Sequence, residues 1–214
     1  LERVNKKNNF KILLLKILFN KILKNIDGIF AVGEEAKKFY KNFNKNVINL
    51  PYSIKFNEKN KKRKINEKKI NYIFVGQLIK RKGFDVVLSL LNNTNLSNAN
   101  FNIVGEGKYK KDLLKITKKF KNIKYYPFQN TKKLNALYSE SDVLIFLSRF
   151  DGWGVVALEA MNHNLAIISS KNVGVKEVYP RQKIIIDPKY SDLHQKINLL
   201  SNNFSLVKKL GLKN

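Results

Sequence analysis

The sequence predicts an α/β protein built on a doubly wound parallel sheet. From Ile70 onward, short apolar runs alternate with segments of helical period. Each intervening helix is a crossover that returns the chain to begin the next parallel strand, with helices on both faces. The 214 residues, 43% of them hydrophobic, suit one good core and part of another.

Taken in order, "FKILLLKILFNKIL" at 10–23 sets Phe10, Leu13, Leu14, Ile17, Leu18 and Ile22 near a helical period, with lysines on the remaining arc. Lys11, Lys16, Asn20 and Lys21 interrupt it, so no transmembrane span follows. It reads as the last helix of a preceding domain or as a helix lying on a membrane surface. "GIFAVG" at 28–33 is expected as a buried strand, "EEAKKFYKNF" as a helix, and "NVINLPYS" as a strand ending at Pro51. "KFNEKNKKRKINEKK" at 55–69 is a dense charge run and the expected boundary. The domain expectation is therefore 1–54 as the end of an N-terminal domain, 55–69 as linker or loop, and 70–214 as the parallel-sheet domain. In that domain "INYIFVG", "FNIVG", "IKYYPF", "DVLIFLS" and "LAIISS" are expected strands. Residues 84–91, 109–120, 132–139 and 155–162 are expected helices. With no initiator methionine and no signal peptide, the chain is expected to be a fragment.

Forty-two basic against sixteen acidic residues give a net charge of +26, which invites a polyanion. The bases are overwhelmingly lysine. Only Arg3, Arg63, Arg81, Arg149 and Arg181 are arginine, whose fork nucleic-acid readers favour, and the lysines are scattered over all segments. A genome-driven surface composition accounts for this, with contact to anionic lipid as the alternative. The absence of cysteine excludes disulfides and thiolate metal sites, and His163 and His194 are separated, so no metal is expected.

Ligands of such a sheet sit outside the carboxyl ends of its strands. "GQLIKRKGF" at 76–84 follows a strand. Gly76 permits a tight turn and Gly83 opens the next helix, leaving Arg81 and Lys82 where a phosphate could meet them, or as ordinary surface bases. "IVGEGKYKKDL" at 103–113 has two glycines of a dinucleotide fingerprint but Lys110 where the third belongs. "SRFDGWGVVALEAM" at 148–161 is more informative. Gly152 and Gly154 are expected to bare backbone amides at the start of the 155–162 helix, where the dipole favours a diphosphate. Glu159, one turn into that helix, would be repelled by phosphate and suits a ribose diol, and Asp151 suits the hydroxyls of a sugar beyond the far phosphate. The plainer alternative is that Asp151 caps the helix and Glu159 is solvated.

The ordered set "FVGQLIKRKG", "IVGEG", "YYPFQNTKKLNALYSESDVLIFLSRFDGWGVVALEAM" and "AIISSKNVGVKEVY" resembles the retaining glycosyltransferases of family 4, the glycosyl transferase group 1 type, over residues 70–180. "IDGIFAVGEEAKKFY" at 26–40 resembles the end of that family's N-terminal domain. The resemblance implies two facing Rossmann-like domains (GT-B), of which this chain would be the C-terminal, donor-binding half, with no metal and no cofactor. It places Lys82 on the donor diphosphate and puts Gln77 where an arginine is usual, so that Arg81 takes over the charge. The paired acids fall on Asp151 and Glu159, the first an aspartate in place of glutamate. Gly152, Trp153, Gly154 and Val155 match the turn facing phosphate and sugar. Gly76, Gly105, Glu106 and Gly107 match donor-side loops. Trp153 is expected either to wall the donor pocket or to be structural. Asp151, Glu159 and Lys82 are the expected catalytic residues.

The activity implied by the resemblance is transfer of a sugar from a nucleoside-diphosphate sugar to a glycan, lipid or small-molecule acceptor. The site would be cytoplasmic, with peripheral contact at the inner membrane face as an option and no nucleic acid. The isolated chain is expected to bind donor and transfer little sugar. Alternatives are a basic module for nucleic acid or anionic membrane, or a nucleotide-sugar epimerase of the same fold.

Overall fold

In a computed structural model, the described residues are 9–53, 69–92, 97–170, 173, 184–185 and 190–211. Nearly all of the 55–69 charge run lies outside them. The chain divides into two compact units, Leu1–Tyr52 and Ser53–Asn214.

The first unit holds α1 (Asn9–Lys24), β1 (Ile29–Ala31), α2 (Glu34–Lys41) and β2 (Val47–Asn49). β1 and β2 form a two-stranded parallel sheet, Ile29 beside Val47 and Ala31 beside Asn49. The expectation of a fully buried strand at 28–33 needs correction: Ala31 is buried, but Phe30 is 70% exposed. Side chains alternate faces along a strand, and among the described residues of this unit only one face of the pair is covered. On α1, Leu14, Ile17, Leu18 and Ile22 are all exposed.

The second unit is a six-stranded, all-parallel sheet in the order β5-β4-β3-β6-β7-β8. Its strands are β3 (Ile70–Val75), β4 (Ala99–Val104), β5 (Ile123–Tyr126), β6 (Val143–Phe146), β7 (Ala166–Ser169) and β8 (Ile184–Ile185). Its helices are α3 (Phe84–Asn92), α4 (Lys110–Lys119), α5 (Thr131–Ser139), α6 (Val155–Asn162), α7 (Leu193–Ser201) and α8 (Phe204–Gly211). A single 3-10 turn, Lys80–Lys82, precedes α3.

Two cores flank the sheet. Ile70, Tyr72 and Phe74 of β3 pack with Phe84, Leu91, Leu113 and Ile197, from α3, α4 and α7. Ile73, one register away and so on the opposite face, packs with Tyr138, Leu158 and Met161 from α5 and α6. Strands covered on both sides are largely apolar, and all four residues of β6 and of β7 are buried, Ser169 at the end of β7 among them. β8, α7 and α8 are absent from the sequence expectation. α7 is tied down by the buried Tyr72, whose hydroxyl lies 3.1 Å from the Ile197 carbonyl and 2.9 Å from the Ser201 hydroxyl.

Candidate functional site

The chain runs outward from β3 to β4 and β5, then returns to lay β6 against the free side of β3. That reversal opens a crevice at the carboxyl ends of β3 and β6, the position where open α/β sheets take ligands. One loop on each side enters it: residues 76–83 after β3 and 147–154 after β6.

The two loops are locked together. Gly83 has φ 73, and a Cβ there would stand 2.1 Å from the Leu147 carbonyl oxygen. The Arg149 amide donates to the Arg81 carbonyl at 2.9 Å. The Arg149 guanidinium forks onto the Asp85 carboxylate at 2.6 and 2.8 Å and also reaches the Lys80 carbonyl at 2.5 Å. It lies 5.3 Å from the centre of the Tyr190 ring, whose hydroxyl donates to the Leu147 carbonyl. A planar fork fits a carboxylate with both nitrogens, so this clamp fixes the turn that carries Arg81 and Lys82. Arg149, Asp85 and Tyr190 carry no sequence signal as site residues, because the clamp joins positions far apart along the chain.

Lys82 and Asp151 meet across the crevice, Nζ to Oδ2 at 2.5 Å, with side chains only 21% and 13% exposed. The Ser148 hydroxyl approaches the same oxygen at 3.4 Å. Asp151 therefore does not cap α6, against the plainer sequence alternative. The N-cap is Gly154, left-handed at φ 82, and it makes no side-chain cap bond to the helix. Gly152 is exposed with nothing near its Cα side, but Gly154 is buried, which corrects the expectation that both glycines lie open. The turn at 154 folds under the helix start because Trp153, 7% exposed, plugs into the core with Phe146 and Leu158. Trp153 is thus a core residue. Val155 is half-buried in the first turn.

Arg81 turns its guanidinium to the Gln77 side chain at 3.1 Å and to the Phe150 carbonyl at 3.4 Å. Its charge accordingly stands beside the position where the resemblance expects an arginine. Gly76 and Gly105 join the β3 and β4 ends: the Gly76 amide donates to Val104, and the Leu78 amide donates to Glu106. A Cβ on Gly105, at φ 136, would meet the Gly76 oxygen at 2.0 Å, and one on Gly107 would meet the Leu78 oxygen at 2.6 Å. Gly105→Ala is expected to cost roughly 3 kcal/mol through combined strain and overpacking. Circular-dichroism melting should then fall by about 6–12 °C; an unchanged melt would contradict the close approach. The Glu106 carboxylate accepts from the Tyr125 hydroxyl at 2.8 Å and from Lys110 at 3.1 Å, and these bonds hold its pKa below the ordinary carboxylate value, Tyr125 first.

Glu159 is half-buried on α6 and bonds neither Lys82 nor Asp151. One of its oxygens accepts from the Tyr138 hydroxyl at 2.9 Å. Burial raises its pKa, opposed by the Tyr138 bond. It is not the solvated helix residue of the plainer sequence alternative. Tyr138 escaped the sequence reading, since an apolar-face tyrosine at helical spacing looks like core, which it also is.

The fold is the Rossmann-like, C-terminal half of a GT-B protein. The chain belongs to the family of glycosyl transferases group 1, which matches residues 55–213. An uncharacterized 41.2 kDa protein of the cps region of Klebsiella pneumoniae is 33% identical over 114 residues, 53% of this chain and 31% of that protein. An uncharacterized glycosyltransferase of Methanocaldococcus jannaschii is 29% identical over 201 residues, 87% of this chain and 53% of its own length. Among solved structures, HepE of Anabaena in complex with UDP and glucose superposes with a TM-score of 0.71 at 13% identity, covering 93% of this chain and 60% of that one. The chain thus spans between about a third and half the length of these two relatives. Among the described residues, no helix is long and apolar enough to cross a membrane.

Proposed function

We propose that this chain is the donor half of a retaining, family 4-type glycosyltransferase that moves a sugar from a nucleoside-diphosphate sugar to a glycan, lipid or small-molecule acceptor. The observation that carries this reading is the Lys82–Asp151 pair spanning the crevice where the strand order reverses, one turn ahead of an uncapped helix start. A cation and an acid so placed match the two ends of a sugar diphosphate.

In this reading Lys82 and Arg81, with the first amides of α6, take the negative charge that grows on the departing diphosphate. Asp151 accepts hydroxyls of the sugar, and Glu159 accepts those of the ribose. Gly76, Gly105, Glu106 and Gly107 shape the nucleotide side, and Gly152 lets the phosphates approach the backbone. UDP and glucose in the HepE complex are of the ligand class this reading assigns.

The test is a thermal-shift titration of the chain with nucleoside diphosphates and their sugars, beside duplex DNA and anionic vesicles. A ligand at a hundred times its Kd adds about 2.7 kcal/mol of stability, so a diphosphate-specific shift is expected. A shift with DNA or vesicles and none with any diphosphate would sink the proposal. Glu159→Ala should weaken the bound nucleotide roughly tenfold, the loss of a charge-assisted bond to a hydroxyl; undiminished affinity in calorimetry would remove Glu159 from the site.

A further inference from the structure

We propose that Tyr138 is a positioning residue for donor recognition: its buried hydroxyl holds one oxygen of Glu159 so that the other is presented to the ribose diol. This rests on the reading of Glu159 as the ribose acceptor.

Tyr138 sits near the end of α5 with no exposed surface, its ring stacked on His163 at 5.6 Å between centroids. From there its hydroxyl reaches Glu159 Oε2 at 2.9 Å, while the Val156 carbonyl lies at 3.4 Å. One hydroxyl carries one proton, and the shorter contact to the charged acceptor takes it. Packing alone would be served by phenylalanine, without the penalty of burying a hydroxyl. The tyrosine therefore has a purpose beyond filling the core. Glu159 Oε1 bonds nothing among the described residues. An ionised carboxylate only accepts, and a vicinal diol only needs acceptors in a fixed place. A glutamate on an exposed helix would spread over several rotamers. Pinned at one oxygen by a side chain that is itself fully buried, it presents the second in one direction, which is the condition for telling ribose from its deoxy forms.

Calorimetry on the full chain tests this with ADP, GDP and UDP, each beside its 2′,3′-dideoxy analogue. The wild type is expected to favour the ribose form of its nucleotide by roughly tenfold or more. Tyr138→Phe, which keeps the ring and its stacking, should bring that preference within about threefold while leaving the dideoxy Kd unchanged. If Tyr138→Phe keeps the full preference, or weakens both forms equally, the hydroxyl is only a brace between α5 and α6 and the proposal is overturned. A wild type that shows no ribose preference for any of the three would instead overturn the role of Glu159 itself.

Discussion

Lys82→Met is expected to weaken nucleoside-diphosphate binding by roughly 10–100-fold, the loss of a charge-assisted contact to phosphate. The effect should be large because the lysine is held before any ligand arrives. It stands on a 3-10 turn whose ends are fixed by the Gly83 approach to Leu147 and by Arg149 on Lys80 and Asp85. Little ordering is then left to oppose binding. Methionine matches the length of the lysine stem, so what is removed is the charge. The substitution also strips Asp151, 13% exposed, of its partner, and a modest fall in melting temperature should accompany it. Calorimetry against UDP and the other diphosphates separates the two effects. Lys82→Arg serves as control, since it restores charge in a different shape and should recover part of the affinity. Undiminished binding in Lys82→Met would mean that the diphosphate lies elsewhere.

The parts of this protein legible from sequence are those governed by local period. The helix at 155–162 begins and ends where the pattern places it, and β3, β5, β6 and β7 fall within their apolar runs, while β4 starts two residues ahead of its run, at Ala99; strands covered on both faces read as near-continuous apolar runs. β8, of two residues, is too short to carry a pattern. α7 does repeat apolar residues at Leu193, Ile197 and Leu200, but its seat depends on a tyrosine 125 residues earlier in the chain. The same holds within the candidate site. "DGWGVVALE" advertises acids and glycines around a helix start, yet whether Asp151 caps that helix or faces Lys82 is decided 69 residues away. The Arg149–Asp85 clamp and the Tyr138 hydroxyl on Glu159 are likewise tertiary pairings between residues that look ordinary one at a time. For Trp153 the sequence leaves two places open, a wall of the donor pocket or a structural seat, and the structure takes the second, with the indole 7% exposed in the core.

Asp151→Asn is expected to act in the opposite direction to Lys82→Met on a bare diphosphate and to remove the extra affinity that the sugar brings. Without a ligand, the carboxylate occupies the lysine that the proposed diphosphate site uses. In that reading a bare nucleoside diphosphate must displace it, against the repulsion between two anions. The amide keeps the shape and removes both costs, so the bare diphosphate should bind about fivefold more tightly, the equivalent of about 1 kcal/mol for a partly shielded pair. A nucleoside-diphosphate sugar brings hydroxyls for which the carboxylate is the better acceptor, so the gain in affinity from adding the sugar should shrink or vanish in the same variant. Comparing each nucleoside diphosphate with its sugar, UDP and UDP-glucose among them, calorimetrically and in both variants, therefore reads the ion pair from its two ends. A pair that merely braces the two loops predicts something else: both substitutions would lower the melting temperature, and both would leave the ratio of sugar to bare-diphosphate affinity where it was. Tighter binding of the bare diphosphate in Asp151→Asn together with a collapsed ratio is the result expected of a carboxylate that exchanges a lysine for a sugar when the donor enters.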